Sequence, residues 1–209
     1  MKFINKVKEP TSFTDWKKRN PNAKFKDLIG KEKKDIRNSL LKEQHSLCCY
    51  CECRISNNYA DESESFHIEH FKPKDKDKFP QLQLEYSNLH ASCIKNKSND
   101  SDIHCGHRKG NEYSDSLISP LEEDCASHFV YELDGTIVYT DHRGKETIRI
   151  LHLDSDLLNI SRKKLIDYFL FDVEENNLEN EISCHLDESL STFGEFYTMI
   201  EYLNKHQLL

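Results

Sequence analysis

Four cysteines inside six consecutive positions, at Cys48, Cys49, Cys51 and Cys53, constrain this chain more than any other feature. Cys93 and Cys105 follow, and Cys125 and Cys184 stand alone. The opening MKFINKVKEP has no apolar core of the kind a secretion signal carries, and no window approaches the roughly 18 apolar residues of a membrane span. A cytoplasmic location is therefore expected, and there a disulfide framework is disfavoured. Cys48 and Cys51 form C-x2-C, and with Cys93 and Cys105 they can close a tetrahedron of thiolates around a structural Zn²⁺. Cys49 or Cys53 could replace a member of the first pair. Cys125 and Cys184 are read as core residues. Such a clamp would gather residues 48 to 105 into one unit.

The patterning around the clamp predicts an α+β chain. Thr11 or Ser12 is placed to cap a short helix through Trp16, stopped by Asn20-Pro21. Residues 31 to 44 read as a helix with Ile36, Leu40 and Leu41 on one face. LCCYCECRI and FHIEH read as short strands, paired antiparallel, with SNNYADESES as polar loop between them. In LEYSNLHASC, Ser87 or Asn88 would start a helix or a tight turn. IKNKSNDSDIH reads as a turn-rich insertion and CGHRKGNEY as a short helix. HFVYELDGTIVYT has the signature of a hairpin turned at Asp134-Gly135. Helices are expected over 155 to 175 and, amphipathic, over 192 to 205.

FHIEHFKPK poses a chemical question, because Glu69 and His70 adjoin in an apolar run that ends at a proline. An imidazole with a pKa near about 6.5 can take a proton from water at neutral pH. A neighbouring carboxylate can hold a divalent metal against a phosphate, and an asparagine carbonyl can fix the imidazole tautomer. Asn88 lies eighteen residues after His70. His107, Lys109 and Asn111 lie just past Cys105.

LCCYCECRI, HIEHFKPK, LEYSNLHASC and CGHRKGN together resemble an HNH endonuclease with a zinc-bound ββα-metal core. VKEPTSFTDWK and the 45 to 111 segment resemble, more narrowly, the PtuB group of HNH proteins found in Septu anti-phage systems and in some retrons. The resemblance implies three parts: an N-terminal helical segment (1–44), the nuclease core (45–113) and a mixed, partner-docking extension (114–209). It implies His70 as general base, Asn88 as the residue that positions it, and Glu69 as ligand of a catalytic Mg²⁺ or Mn²⁺. Cys48, Cys51, Cys93 and Cys105 match the structural zinc ligands. Gly106 stands where compact HNH motifs place His or Asn, so His107 is the candidate third residue and second metal ligand, with Asn111 the alternative. Lys109 would contact phosphate, and His67 is read as structural. The implied partners are a PtuA-like ATPase and, in retrons, a reverse transcriptase with its RNA and DNA.

Charge is divided along the chain. Residues 1 to 110 hold 22 Lys and Arg against 16 Asp and Glu, whereas 111 to 209 hold 7 against 21. The first part could meet phosphates, and the second would be repelled by them and could dock on the ATPase. No G-x4-G-K-[ST] occurs, so any ATP dependence must come from a partner. DNA is the expected substrate, with RNA (tRNA) as the alternative on the same site. A zinc-stapled adaptor without chemistry is the rival of a different class, but it would need only the cysteines.

Overall fold

The computed structural model describes residues 1–56, 65–94 and 102–209. The parts of SNNYADESES and IKNKSNDSDIH at 57–64 and 95–101 lie outside the described residues. The chain is α+β, as expected, and its elements run α1 (Thr11–Arg19), α2 (Gly30–Glu43), β1 (Phe66–His70), β2 (Leu89–Cys93), α3 (Cys105–Lys109), β3 (Phe129–Tyr131), β4 (Ile137–Tyr139), α4 (His142–Leu151), α5 (Asp156–Asp167), α6 (Leu178–His185) and α7 (Tyr197–Lys205). No helix among the described residues is long and apolar enough to cross a membrane.

α1 begins differently from the expectation. Pro10 is its N-cap, and its carbonyl accepts from the Phe13 and Thr14 amides. Ser12 instead donates to Asp35 on α2 at 2.7 Å, tying the first two helices together. α2 buries Ile36 and Leu40 completely, each contributing roughly 1.5–3 kcal/mol, while Leu41 is half-buried.

The sheet pairing corrects the sequence reading. LCCYCECRI is not a strand beside FHIEH but a tight knuckle closed by a single Leu47–Arg54 bridge. The partner of β1 is β2, antiparallel, with Glu69 opposite His90 and His70 opposite Leu89. Asn88 therefore starts no helix; it ends a 3-10 turn, Tyr86–Asn88, that feeds directly into β2. The reason lies in Gln44, at the end of α2. Its side chain donates to Leu47 and Ala91 carbonyls and accepts from the Ala91 amide, so the knuckle is pinned across β2 and cannot lie along β1.

The remaining chain wraps this centre. β3 and β4 form the expected hairpin, and Gly135 takes the positive φ of 88° that its turn demands. α5 is capped by Ser155 and widens into a π turn at Tyr168–Asp172, shorter than the expected 155–175. α7 begins at Tyr197 rather than 192, because Phe193 and Phe196 donate their amides to His45 and Glu52 carbonyls and so run across the knuckle. Cys125 is buried as expected, but Cys184 is exposed on α6.

Glu52 sits inside the knuckle with a positive φ of 62° and only 3% exposure. Its carboxylate pairs with the Met1 ammonium at 2.6 Å and accepts from the amide and hydroxyl of Thr198 on α7. Burial lowers the Met1 amine's pKa, but Glu52's charge more than compensates and raises it to about 11.

Candidate functional site

The knuckle follows from backbone bonds: Cys48 N donates to the Cys53 carbonyl, Glu52 N to the Cys48 carbonyl, and Cys49 N to Ala91 on β2. Cys93 closes β2 and Cys105 opens α3. The Sγ atoms of Cys48, Cys51, Cys93 and Cys105 all lie within 4.8 Å of one another, and all four residues are buried. Cys48–Cys105 and Cys51–Cys93 are 3.8 and 3.7 Å apart. A tetrahedron with metal–sulfur bonds of about 2.3 Å has edges of about 3.8 Å, so this donor set fits a closed tetrahedral metal site. Cys49 and Cys53 fall outside the group, and the Cys49 thiol is pushed well up by burial.

β1 alternates its side chains, so His67 and Glu69 share one face and His70 takes the other. α3 packs on the His67–Glu69 face. A Cβ at Gly106 would come within 2.5 Å of Glu69 Oε2 and 2.7 Å of His67 Nε2, so only glycine leaves those two atoms open. His67 Nε2 is 3.1 Å from Glu69 Oε2, and exposed His107 stacks on the His67 ring at 4.4 Å. His67 thus belongs to the cluster around Glu69 rather than to the core behind it, and its i−2 spacing from Glu69 is a signal the sequence carries. Burial raises the Glu69 carboxyl, but the His67 hydrogen bond and the Lys109 charge outweigh it and hold it below the usual carboxylate range.

Lys109, expected at a phosphate, is turned inward. Its side chain is fully buried, with Nζ 2.8 Å from Glu69 Oε1 and 3.0 Å from the His70 carbonyl. A five-residue helix ending at Gly110 points position 109 back at the sheet, where the Glu69 charge captures it. Asn111 lies exposed and donates to Asp75.

His70 is 4% exposed, with its ring edge-on to Phe25 at 4.4 Å. Nε2 lies 3.1 Å from the Gln83 carbonyl oxygen, which can only accept, so Nε2 carries the proton. The lone pair is left on Nδ1, 3.4 Å from Lys74 Nζ. Burial, and then the Lys74 charge, lower the imidazole pKa to about 4, which keeps it neutral at neutral pH.

Among the described residues the Asn88 side chain hydrogen-bonds to Lys72 and Leu82 and not to the His70 ring that it was expected to position. Its Oδ1 accepts from the Lys72 amide, and its Nδ2 donates to the Lys72 and Leu82 carbonyls. It braces the two backbone segments that flank the imidazole, and the Gln83 carbonyl next to Leu82 does the orienting. Sequence reasoning had no route to a main-chain acceptor. It also passed over His90, fully buried opposite Glu69, with no hydrogen-bond partner on either ring nitrogen among the described residues.

No family model matches the chain. A Vibrio cholerae serotype O1 biovar El Tor protein named as the HNH endonuclease of retron Vc95 is 33% identical over 147 residues, 66% of this chain and 67% of that protein. Septu protein PtuB of Bacillus thuringiensis is 33% identical over 124 residues, which span 57% of this chain but 41% of PtuB. An Escherichia coli protein named as the HNH endonuclease of retron Ec83 is 26% identical across 85% of this chain and 84% of its own length. The knuckle and the Glu69–His70 strand thus sit in a chain that belongs to the HNH endonuclease family, in the group of its retron and Septu PtuB members.

Proposed function

We propose that this chain is a metal-dependent HNH endonuclease that hydrolyses phosphodiester bonds, preferentially in DNA, as effector of an anti-phage system with a PtuA-like ATPase. The observation that carries the reading is His70: a histidine kept neutral by burial, with its tautomer set by Gln83, directly after the buried acid Glu69. The names of the retron relatives point the same way.

In this mechanism His70 Nδ1 takes the proton from the attacking water, while Nε2–H stays on the Gln83 carbonyl and holds the ring plane. Asn88 keeps Lys72 and Leu82, and with them both walls of the imidazole site, in fixed register. Glu69 through Oε2, with His107 from its place on the His67 ring, would hold Mg²⁺ or Mn²⁺. An ion bound there would neutralise charge on the scissile phosphate and stabilise the leaving oxygen. Lys74, whose ammonium faces Nδ1 from the exposed side, takes the phosphate-facing role first expected of Lys109. Cys48, Cys51, Cys93 and Cys105 would hold Zn²⁺ as a structural staple joining knuckle, β2 and α3. The acidic extension from residue 114 would dock on the ATPase.

The test is cleavage of plasmid DNA and of total transfer RNA with Mg²⁺ or Mn²⁺, by wild type and His70→Ala, each with and without the cognate ATPase. Cutting of DNA that disappears in the variant supports the reading. Cutting confined to transfer RNA moves the substrate, and full defence by a folded His70→Ala protein would leave only the adaptor.

A further inference from the structure

We propose that Glu122, Asp124 and His128 form a second metal centre, in the C-terminal part of the chain, that takes a divalent transition ion such as Zn²⁺. A 3-10 turn at Cys125–His128 folds the three residues together ahead of β3, and their ligand atoms all lie within 4.8 Å of one another.

The histidine supplies the independent observation. His128 is 8% exposed, and its Nδ1 sits 2.6 Å from Asp141 Oδ2. Asp141 is itself fixed as the N-cap of α4, accepting from the Gly144 amide at 2.8 Å. A carboxylate only accepts, so in the neutral ring Nδ1 carries the proton and Nε2 keeps its lone pair. That Nε2 is buried and has no hydrogen-bond partner among the described residues. A buried acceptor without a partner loses its hydration for nothing, and such groups are rare in folded chains. A carboxylate on one ring nitrogen and a free lone pair on the other is the arrangement by which proteins present histidine to a metal.

The acids leave room for the ion. Glu122 accepts from Arg143 through both oxygens, at 2.7 and 2.8 Å, and its Oε1 also accepts from the Ser119 amide. A carboxylate has about four lone-pair sites, so one remains on Oε2. Asp124 is exposed and can swing onto the ion from solvent. Around the site Glu122, Asp124 and Asp141 face one guanidinium, Arg143, so negative charge is left in excess. One imidazole with two carboxylates suits Zn²⁺ or Mn²⁺ and not the all-oxygen preference of Mg²⁺ or Ca²⁺. Bound there, the ion would fasten the turn before β3 to the start of α4.

The experiment titrates Co²⁺ into the intact chain as purified, following uptake per chain and the visible spectrum. Wild type should take up an ion whose spectrum has d–d bands without thiolate-to-cobalt charge transfer, which separates it from the cysteine site. His128→Gln and the exposed Asp124→Asn should each lose that ion, Glu69→Gln should keep it, and Asp141→Asn should weaken it roughly 10- to 100-fold. No such ion in wild type, or equal uptake by folded Asp124→Asn and His128→Gln, overturns the proposal. So does loss confined to Glu69→Gln, which would place the ion on β1.

Discussion

Lys109 and Glu69 form a salt bridge of 2.8 Å with both side chains shut off from solvent. Neither charge can be removed alone without stranding the other. Lys109→Met should destabilise the chain by ~3–5 kcal/mol, and Glu69→Gln/Lys109→Met together by much less. Urea unfolding of Lys109→Met, Glu69→Gln and the double variant checks this; equal losses in the single and double variants would refute the coupling.

The cysteine donor set predicts a sharp division among neighbours. Cys48→Ser and Cys105→Ser should lose bound zinc and cooperative folding together, since in such a site metal affinity is folding free energy. Cys49→Ser, one residue away but outside the tetrahedron, should keep its zinc. Metal content and thermal melts of the purified variants decide it.

His70→Ala should retain fold and zinc and lose cleavage by roughly 10²–10⁴-fold, the usual worth of a positioned base. Asn88→Ala should act differently. It removes three hydrogen bonds to Lys72 and Leu82, lowering stability by roughly 1–3 kcal/mol, and loosens the imidazole only through the backbone. Single-turnover rates beside melting curves separate the two roles.

Acid should destabilise the chain through its buried histidines. Burial lowers the pKa of His70 to about 4 and of His90 to about 3. Unfolded histidine titrates near about 6.5, so below that pH the unfolded chain binds protons that the native state refuses. Stability from these two groups is complete above about 6.5. It should fall by roughly 1.4 kcal/mol per pH unit for each as pH drops toward their folded values. Denaturant midpoints between pH 7 and 5 measure the slope; a flat profile would mean that both rings are protonated in the native state.

The four clustered cysteines were legible because C-x2-C is a local geometry, and a closing pair further along needs only to exist. Glu69 beside His70 was legible for the same reason. What failed was whatever depended on a partner distant in sequence. FHIEH pairs with LHASC because Gln44 holds the knuckle across Ala91, a contact no periodicity announces. Lys109 reads as a phosphate contact because lysines usually face solvent, and only the placement of α3 over Glu69 reveals the buried pair. α4 and α6 went unread because their buried apolar side chains are few, Ile148, Ile150 and Leu151 on α4 and Ile182 on α6. Cys184 shows the reverse error, a residue type that is usually buried left in solvent by the turn of a short helix.

Glu52 links the beginning, the knuckle and the final helix through one carboxylate. During synthesis, residue 52 emerges long before residue 198, so the acid waits without its Thr198 donors until α7 has been made. A fragment cut at residue 113 to isolate the knuckle and β1–β2 would meet the same deficit permanently. The knuckle and α7 thereby settle together, and a product that stops short of residue 198 would carry the cysteines and His70 on a scaffold lacking that contact.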